Sequence, residues 1–149
     1  MKAFRKASFY CGKNRFLYWL YFFRFSRLRQ KTKNDISIHA IFGKGVLLIH
    51  EGPRYIYSGV VVGNNVTIHQ GVTLGLAQGR KKGVPTIGNN VWLGPFCIVV
   101  GAVHIGDGAM ICGGAFVNFD VPNNAIVIGN PGVIHLSEKG SQDYIGNPV

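Results

Sequence analysis

Five histidines, three cysteines and one basic triplet are the residues of this 149-residue chain whose types suit chemistry at neutral pH. The histidines are His39, His50, His69, His104 and His135. Imidazole titrates near neutrality, so a placed histidine can take a proton from a hydroxyl. The cysteines, Cys11, Cys97 and Cys112, are odd in number, and no pair has the C-x-x-C spacing of a metal site. They point to a reducing, cytoplasmic setting. The triplet Arg80-Lys81-Lys82 stands among Gly75, Gly79, Gly83 and Pro85, where charge-assisted contacts to an anion such as a phosphate are available.

The elements that must hold these residues repeat every six positions. In "VVVGNNVTIHQGVTLG" the apolar residues Val62, Ile68 and Leu74 are six apart, and Val66 and Val72 follow the first two by four. After residue 86 the register resumes with Ile87, Leu93, Val99, Ile105, Ile111 and Val117. Four residues after each stand Val91, Cys97, Val103, Ala109, Ala115 and Val121, all small or β-branched. Phe42 and Leu48 fit upstream, and an eight-residue step leads to Ile56. Six is neither the helical period nor the alternation of a simple strand. It predicts a solenoid in which each hexad gives one short strand and one turn, both marked residues point inward, and stacked coils share one core. His50, two positions after inward Leu48, then points out, as does His69 after Ile68.

The stretch "IGNNVWLGPFCIVVGAVHIGDGAMICGGAFV" resembles the hexapeptide-repeat acyltransferases. The resemblance implies an all-β solenoid, a left-handed parallel β-helix with a short N-terminal helical arm and one extended loop. The expected division is an arm over residues 1–34, the β-helix over 35–134 and a tail over 135–149. Within the family, "GKGVLLIHEGP", "VTIHQGVTLG" and "VPNNAIVIGNPGVI" are most similar to serine acetyltransferases and to surface-polysaccharide O-acetyltransferases.

That resemblance implies roles residue by residue. "LIHEGP" matches the segment carrying the family's catalytic base, so His50 is the expected base, with His39 as a candidate to orient it. Ser37, Glu51 and His69 join His39 as candidates for binding the acceptor; Ser37 stands where serine-specific relatives carry an aspartate. The other departures from those relatives are Ile49, directly before His50, and Gly83-Val84 before Pro85, where they carry Arg and His. The period fails between Leu74 and Ile87, and the resemblance puts this extended loop beside the acetyl-CoA site. Gly75, Gly94, Gly113 and Gly114 are the expected backbone contacts to acetyl-CoA, Arg80, Lys81 and Lys82 the expected phosphate contacts, and the Gly75 N–H an oxyanion donor. No metal is expected, and the family's sites imply a homotrimer.

The leading reading is an acetyl-CoA-dependent O-acetyltransferase acting on a sugar hydroxyl in surface polysaccharide synthesis, and the alternative is serine O-acetyltransferase of cysteine synthesis. A non-catalytic scaffold and a metal enzyme using His50, His69 and His104 rank below both.

Charge separates one more feature. The net charge of +10 resides in residues 1–33, which hold ten Lys and Arg and no acid, while the rest hold six of each sign. A neutral domain behind a basic arm argues against nucleic acid. The uncharged run Phe16 to Phe23 has eight residues, far short of the ~20 that span a bilayer. The stretch "KNRFLYWLYFFRFSRLRQK" is rich in aromatics and arginine, and two readings stand: packing on the oligomer, or peripheral contact with the inner face of a membrane.

Overall fold

The computed structural model describes residues 2–145, so the last part of the expected tail, 146–149, lies outside the described residues. Two helices precede the repeat, α1 (Lys2–Tyr10) and α2 (Arg15–Thr32). The chain breaks between them at Gly12, with φ +77, and restarts at Asn14, whose side chain caps α2 by accepting from Leu17 N at 3.1 Å. Lys33, in the left-handed region, closes α2.

The rest winds as a left-handed parallel β-helix with three faces. Face one stacks β1 (Asp35–Ile36), β4 (Tyr55–Ile56), β7 (Thr73–Gly75), β10 (Ile98–Val100) and β13 (Phe116–Val117). Face two stacks β2 (Ile41–Phe42), β5 (Val61–Val62), β8 (Thr86–Ile87) and β11 (His104–Ile105). Face three stacks β3 (Leu47–Leu48), β6 (Thr67–Ile68), β9 (Trp92–Leu93), β12 (Met110–Ile111) and β14 (Ile126–Ile128). It ends with β15 (Val133–His135), which folds back antiparallel on β14.

The register is the one the hexads predict. Val62, Ile68, Leu74, Ile87, Leu93, Val99, Ile105, Ile111 and Val117 are all buried, and so are the small residues that follow them. Pairing from coil to coil keeps like positions in columns, for example Leu48↔Ile68↔Leu93↔Ile111↔Val127. No single coil encloses its own side chains, so the stack is the folding unit.

The three edges between faces differ in construction. The edge between faces two and three is sealed by a side-chain ladder. Lys44 N donates to Asn64 Oδ1 at 2.8 Å, Asn64 N to Asn89 Oδ1 at 2.9 Å, Asn89 N to Asp107 Oδ1 at 2.6 Å and Asp107 N to Asn123 Oδ1 at 2.9 Å. The other two carry the chemistry-bearing residues. The edge between faces three and one carries His50 and is called the His50 edge below. The edge between faces one and two carries the insertion 75–86 and is called the loop edge.

The arm packs on the coil instead of standing free. Phe25 is buried in the same core cluster as Ile36 and Ile56, Arg5 donates to Gly43 O at 2.6 Å, and Arg29 pairs with Asp35 at 2.6 Å.

Candidate active site

The His50 edge begins at an enlarged corner. The eight-residue step from Leu48 to Ile56 gives this corner two residues more than the others, and His50 sits on it with φ +62. One side chain pins the corner from inside. Arg54 is only 2% exposed and occupies the inward column that Val72, Cys97 and Ala115 fill in later coils. Its guanidinium donates to His50 O at 2.7 Å, Gly52 O at 3.1 Å, Ile68 O and Asn34 Oδ1 at 3.4 Å each, and Ile49 O. All of these acceptors are neutral, and burial lowers the Arg54 pKa from its ordinary value. A buried cation held by carbonyl groups fixes the backbone that presents them.

His50 itself is exposed, and its ring centroid lies 5.5 Å from that of His69 in the next coil. The line of rings continues from His69 to Trp92 at 4.7 Å and to Tyr144 of the tail at 5.5 Å. Burial, and then the positive surroundings of His50 and Arg54, push the His69 pKa down. His69 Nε2 is buried without a protein hydrogen-bond partner. Beside His50 opens a hollow of about 460 Å3 whose lining includes Lys31, Lys33, Asn34, Glu51 and Arg54.

Further down the same edge stand Gly94, Gly113 and Gly114, at the corners that follow β9 and β12. A Cβ at Gly94 would lie 2.6 Å from Gly113 N and from Trp92 Cζ3, so close stacking of coils demands glycine there. The Gly94 N–H is committed to Ile111 O at 2.8 Å and the Gly114 N–H to Pro95 O at 2.9 Å. These two N–H groups are therefore not available to a ligand, whereas the space beside Gly114 is open.

Ser37, His39 and Gly75 lie elsewhere. They line a hollow of about 630 Å3 at the loop edge, with Tyr57, Tyr18 and Phe22. His39 therefore does not orient His50 within one chain, contrary to the sequence expectation, because face one runs between them. The same separation removes Gly75 as an oxyanion donor to the His50 of its own chain. The insertion also leaves from this edge. It closes with Ala77 and Gly83 bonded to each other at 2.9 and 3.1 Å, and it lies back on the following coil through Ala102 N to Lys81 O at 2.9 Å. Lys81 pairs with Asp120 at 2.7 Å, which lowers the Asp120 pKa, so Lys81 is engaged within the chain. Arg80 and Lys82 are exposed. His104 lies on face two, away from His50 and His69, so the three histidines form no common site.

Cys97 is fully buried and its thiol is pushed up to about 12; burial also raises Cys112. Neither supplies a thiolate at neutral pH. With a chromogenic disulfide reagent, we expect the exposed Cys11 to react fast, Cys112 slowly and Cys97 only on unfolding. Fast labelling of Cys97 in the native protein would contradict the packing.

The bacterial transferase hexapeptide model (six repeats) matches residues 85–118. The chain belongs to the hexapeptide-repeat transferases. It is 40% identical over 108 residues to serine acetyltransferase 2 of Arabidopsis thaliana, covering 71% of this chain and 33% of that protein. It is 36% identical over 114 residues to the serine acetyltransferase of Bacillus subtilis, covering 72% and 52%. Among solved structures, soybean serine acetyltransferase apoenzyme superposes with a TM-score of 0.78 at 33% identity, over 89% of this chain and 55% of that one. The chain thus spans about a third to a half of the curated relatives named here. These relatives are named for serine, not for sugars.

Proposed function

We propose that this hexapeptide-repeat protein is an acetyl-CoA-dependent O-acetyltransferase in which His50 is the general base. The observation that carries this is the His50 edge itself. An exposed imidazole stands on a corner pinned by a buried guanidinium, above a histidine biased to the neutral form. In the reaction, His50 takes the proton of the acceptor hydroxyl as its oxygen bonds to the thioester carbon. The tetrahedral oxyanion then collapses, the carbon–sulfur bond breaks, and the departing CoA thiolate takes the proton from the imidazolium. No acetyl-enzyme forms, consistent with the buried and raised Cys97.

The acceptor we propose is the serine hydroxyl, supported by the names of the relatives, one of which is a soybean enzyme complexed with serine. A sugar hydroxyl is the second reading, supported by Ser37, Ile49 and the Gly83-Val84 pair, which depart from the serine pattern. Acetyl-CoA itself is supported by a related serine acetyltransferase solved in complex with CoA.

The working assembly we propose is a trimer. The candidate residues divide between two edges of one chain: His50, Glu51, His69, Gly94, Gly113 and Gly114 on one, and Ser37, His39, Gly75, Arg80 and Lys82 on the other. Rotational symmetry that sets the His50 edge of one copy against the loop edge of the next brings the two sets together. Release of free CoA thiol from acetyl-CoA, followed with serine, simple sugars and nucleotide sugars, tests the reading. We expect serine to support turnover. Turnover with a sugar alone would move the acceptor to the second reading, and no turnover with any hydroxyl would end the proposal.

A further inference from the structure

Helix α2 has a second face that the coil does not cover. Tyr18, Phe22, Phe25 and Arg29 turn toward the β-helix, and Tyr21 stacks on Tyr10 of α1 at 5.7 Å. The opposite side divides along its length. Its first half presents Phe16 (77% exposed), Trp19 (48%), Leu20 (54%) and Phe23 (62%), spaced by three and four residues into one stripe. Its second half presents Arg24, Arg27 and Lys31, all exposed and turned to nearly the same side. At 1.5 Å per residue each half is about 10 Å long. An 18-residue helix that is apolar on its packed side and again on half of its open side is built to be covered from both sides.

We infer that this open face of α2 docks on a bilayer carrying anionic headgroups, with Phe16, Trp19, Leu20 and Phe23 below the headgroups and Arg24, Arg27 and Lys31 against them. Charge selects the occupant. Residues 1–33 hold ten Lys and Arg and no acid, so a second copy of the same face would set like charges together, whereas an acidic leaflet meets them with the opposite sign. Tryptophan and phenylalanine beside arginine is also the composition that favours the interfacial zone. Among the described residues no helix is long and apolar enough to cross a membrane, so the helix lies on the surface. The docking has a consequence for the hollow beside His50. Lys31 and Lys33, which line it, end the same helix, so the hollow opens close to the headgroup plane.

Deleting residues 1–33 is a poor test, because Phe25, Arg5 and Arg29 hold the coil. Point substitutions on the open face leave those contacts alone. The full chain is to be sedimented with phosphatidylcholine vesicles with and without about 30% phosphatidylserine, at about 0.15 M salt. We expect binding to the acidic vesicles only. The triple variant R24Q, R27Q and K31Q should bind roughly 100-fold more weakly, from about 1 kcal/mol per basic residue near such a surface. The variant with serine at 16, 19, 20 and 23 should lose binding with its oligomeric mass and circular dichroism unchanged. Equal binding to neutral and acidic vesicles overturns the inference. So does undiminished binding by the serine variant. A fall in its oligomeric mass does the same, since that result assigns the face to a second copy.

Discussion

His50→Ala lowers kcat by roughly 10²–10⁴-fold with the fold intact, the usual contribution of a positioned general base. Fold loss is not expected, because the His50 side chain is exposed and the corner is held through its backbone, to which Arg54 donates at 2.7 Å. The KM for acetyl-CoA changes little, because proton removal contributes in the transition state and not in the binding of the donor. Steady-state release of CoA thiol with the true acceptor, beside a circular dichroism spectrum of the variant, checks both parts. A His50→Ala protein with near-normal kcat would remove His50 from the chemistry. An acetyl group trapped on Cys97 or Cys112 would replace direct transfer by a two-step path.

Arg54→Leu is the second large effect, and it acts on stability and rate together. The side chain is buried and bonds to Ile49, His50, Gly52, Ile68 and Asn34. Leucine fills part of the volume but leaves the carbonyls of Ile49, His50 and Gly52 short of a donor, while Ile68 O keeps the Ile49 N–H at 3.0 Å; each buried acceptor without a partner costs about 1–3 kcal/mol. Some regain water at the enlarged corner, so the net loss should be roughly 3–5 kcal/mol, a fall in Tm of roughly 10 °C for a chain of this size. Below the transition, kcat should still fall by about ten-fold or more, because a 1 Å shift of a catalytic group is costly. The KM for acetyl-CoA should hold. Arg54→Lys keeps the charge but not the planar fork, so it should recover part of the stability and little of the rate. A thermal melt and a kcat measurement at low temperature read the two effects separately. An Arg54→Leu protein as stable and as fast as the parent would show that the corner needs no pin.

The hexads made the core legible because a solenoid repeats one packing problem, and Ile87, Val99 and Ile111 answer it each time with an aliphatic residue. The same regularity hid Arg54. It stands in the column of Val72, Cys97 and Ala115, where the period calls for a small residue, and the eight-residue step to Ile56 was the available signal that this corner is enlarged. Read together, an arginine at an inward position and two extra residues imply carbonyl groups turned toward a buried cation. His39 was misplaced for another reason. The period gives which way a residue faces, in or out, but two outward residues on different edges look alike until the faces are counted. His39 precedes β2 and His50 follows β3, and that difference alone sends them to separate edges. The arm was legible as helical and basic. Its break has local signals, Gly12 at positive φ and the Asn14 cap, whereas the division of α2 into packed and open faces depends on contacts with the coil, which no local pattern encodes.

The division of candidate residues between two edges makes the assembly part of the chemistry, and one experiment addresses it directly. Two inactive proteins are prepared: His50→Ala, and a chain whose insertion 76–84 is replaced by a short turn. Each lacks one edge and keeps the other. They are dissociated together, reassembled at equal amounts and assayed for CoA thiol release. Where an intact His50 edge meets an intact loop edge across an interface, a complete site returns. Random mixing restores about a quarter of the wild-type sites, half of one edge times half of the other, in a closed ring. Recovery near that level is the result predicted here. A reassembled mixture as inactive as its two components would contradict it, because both edges would then have to belong to one chain.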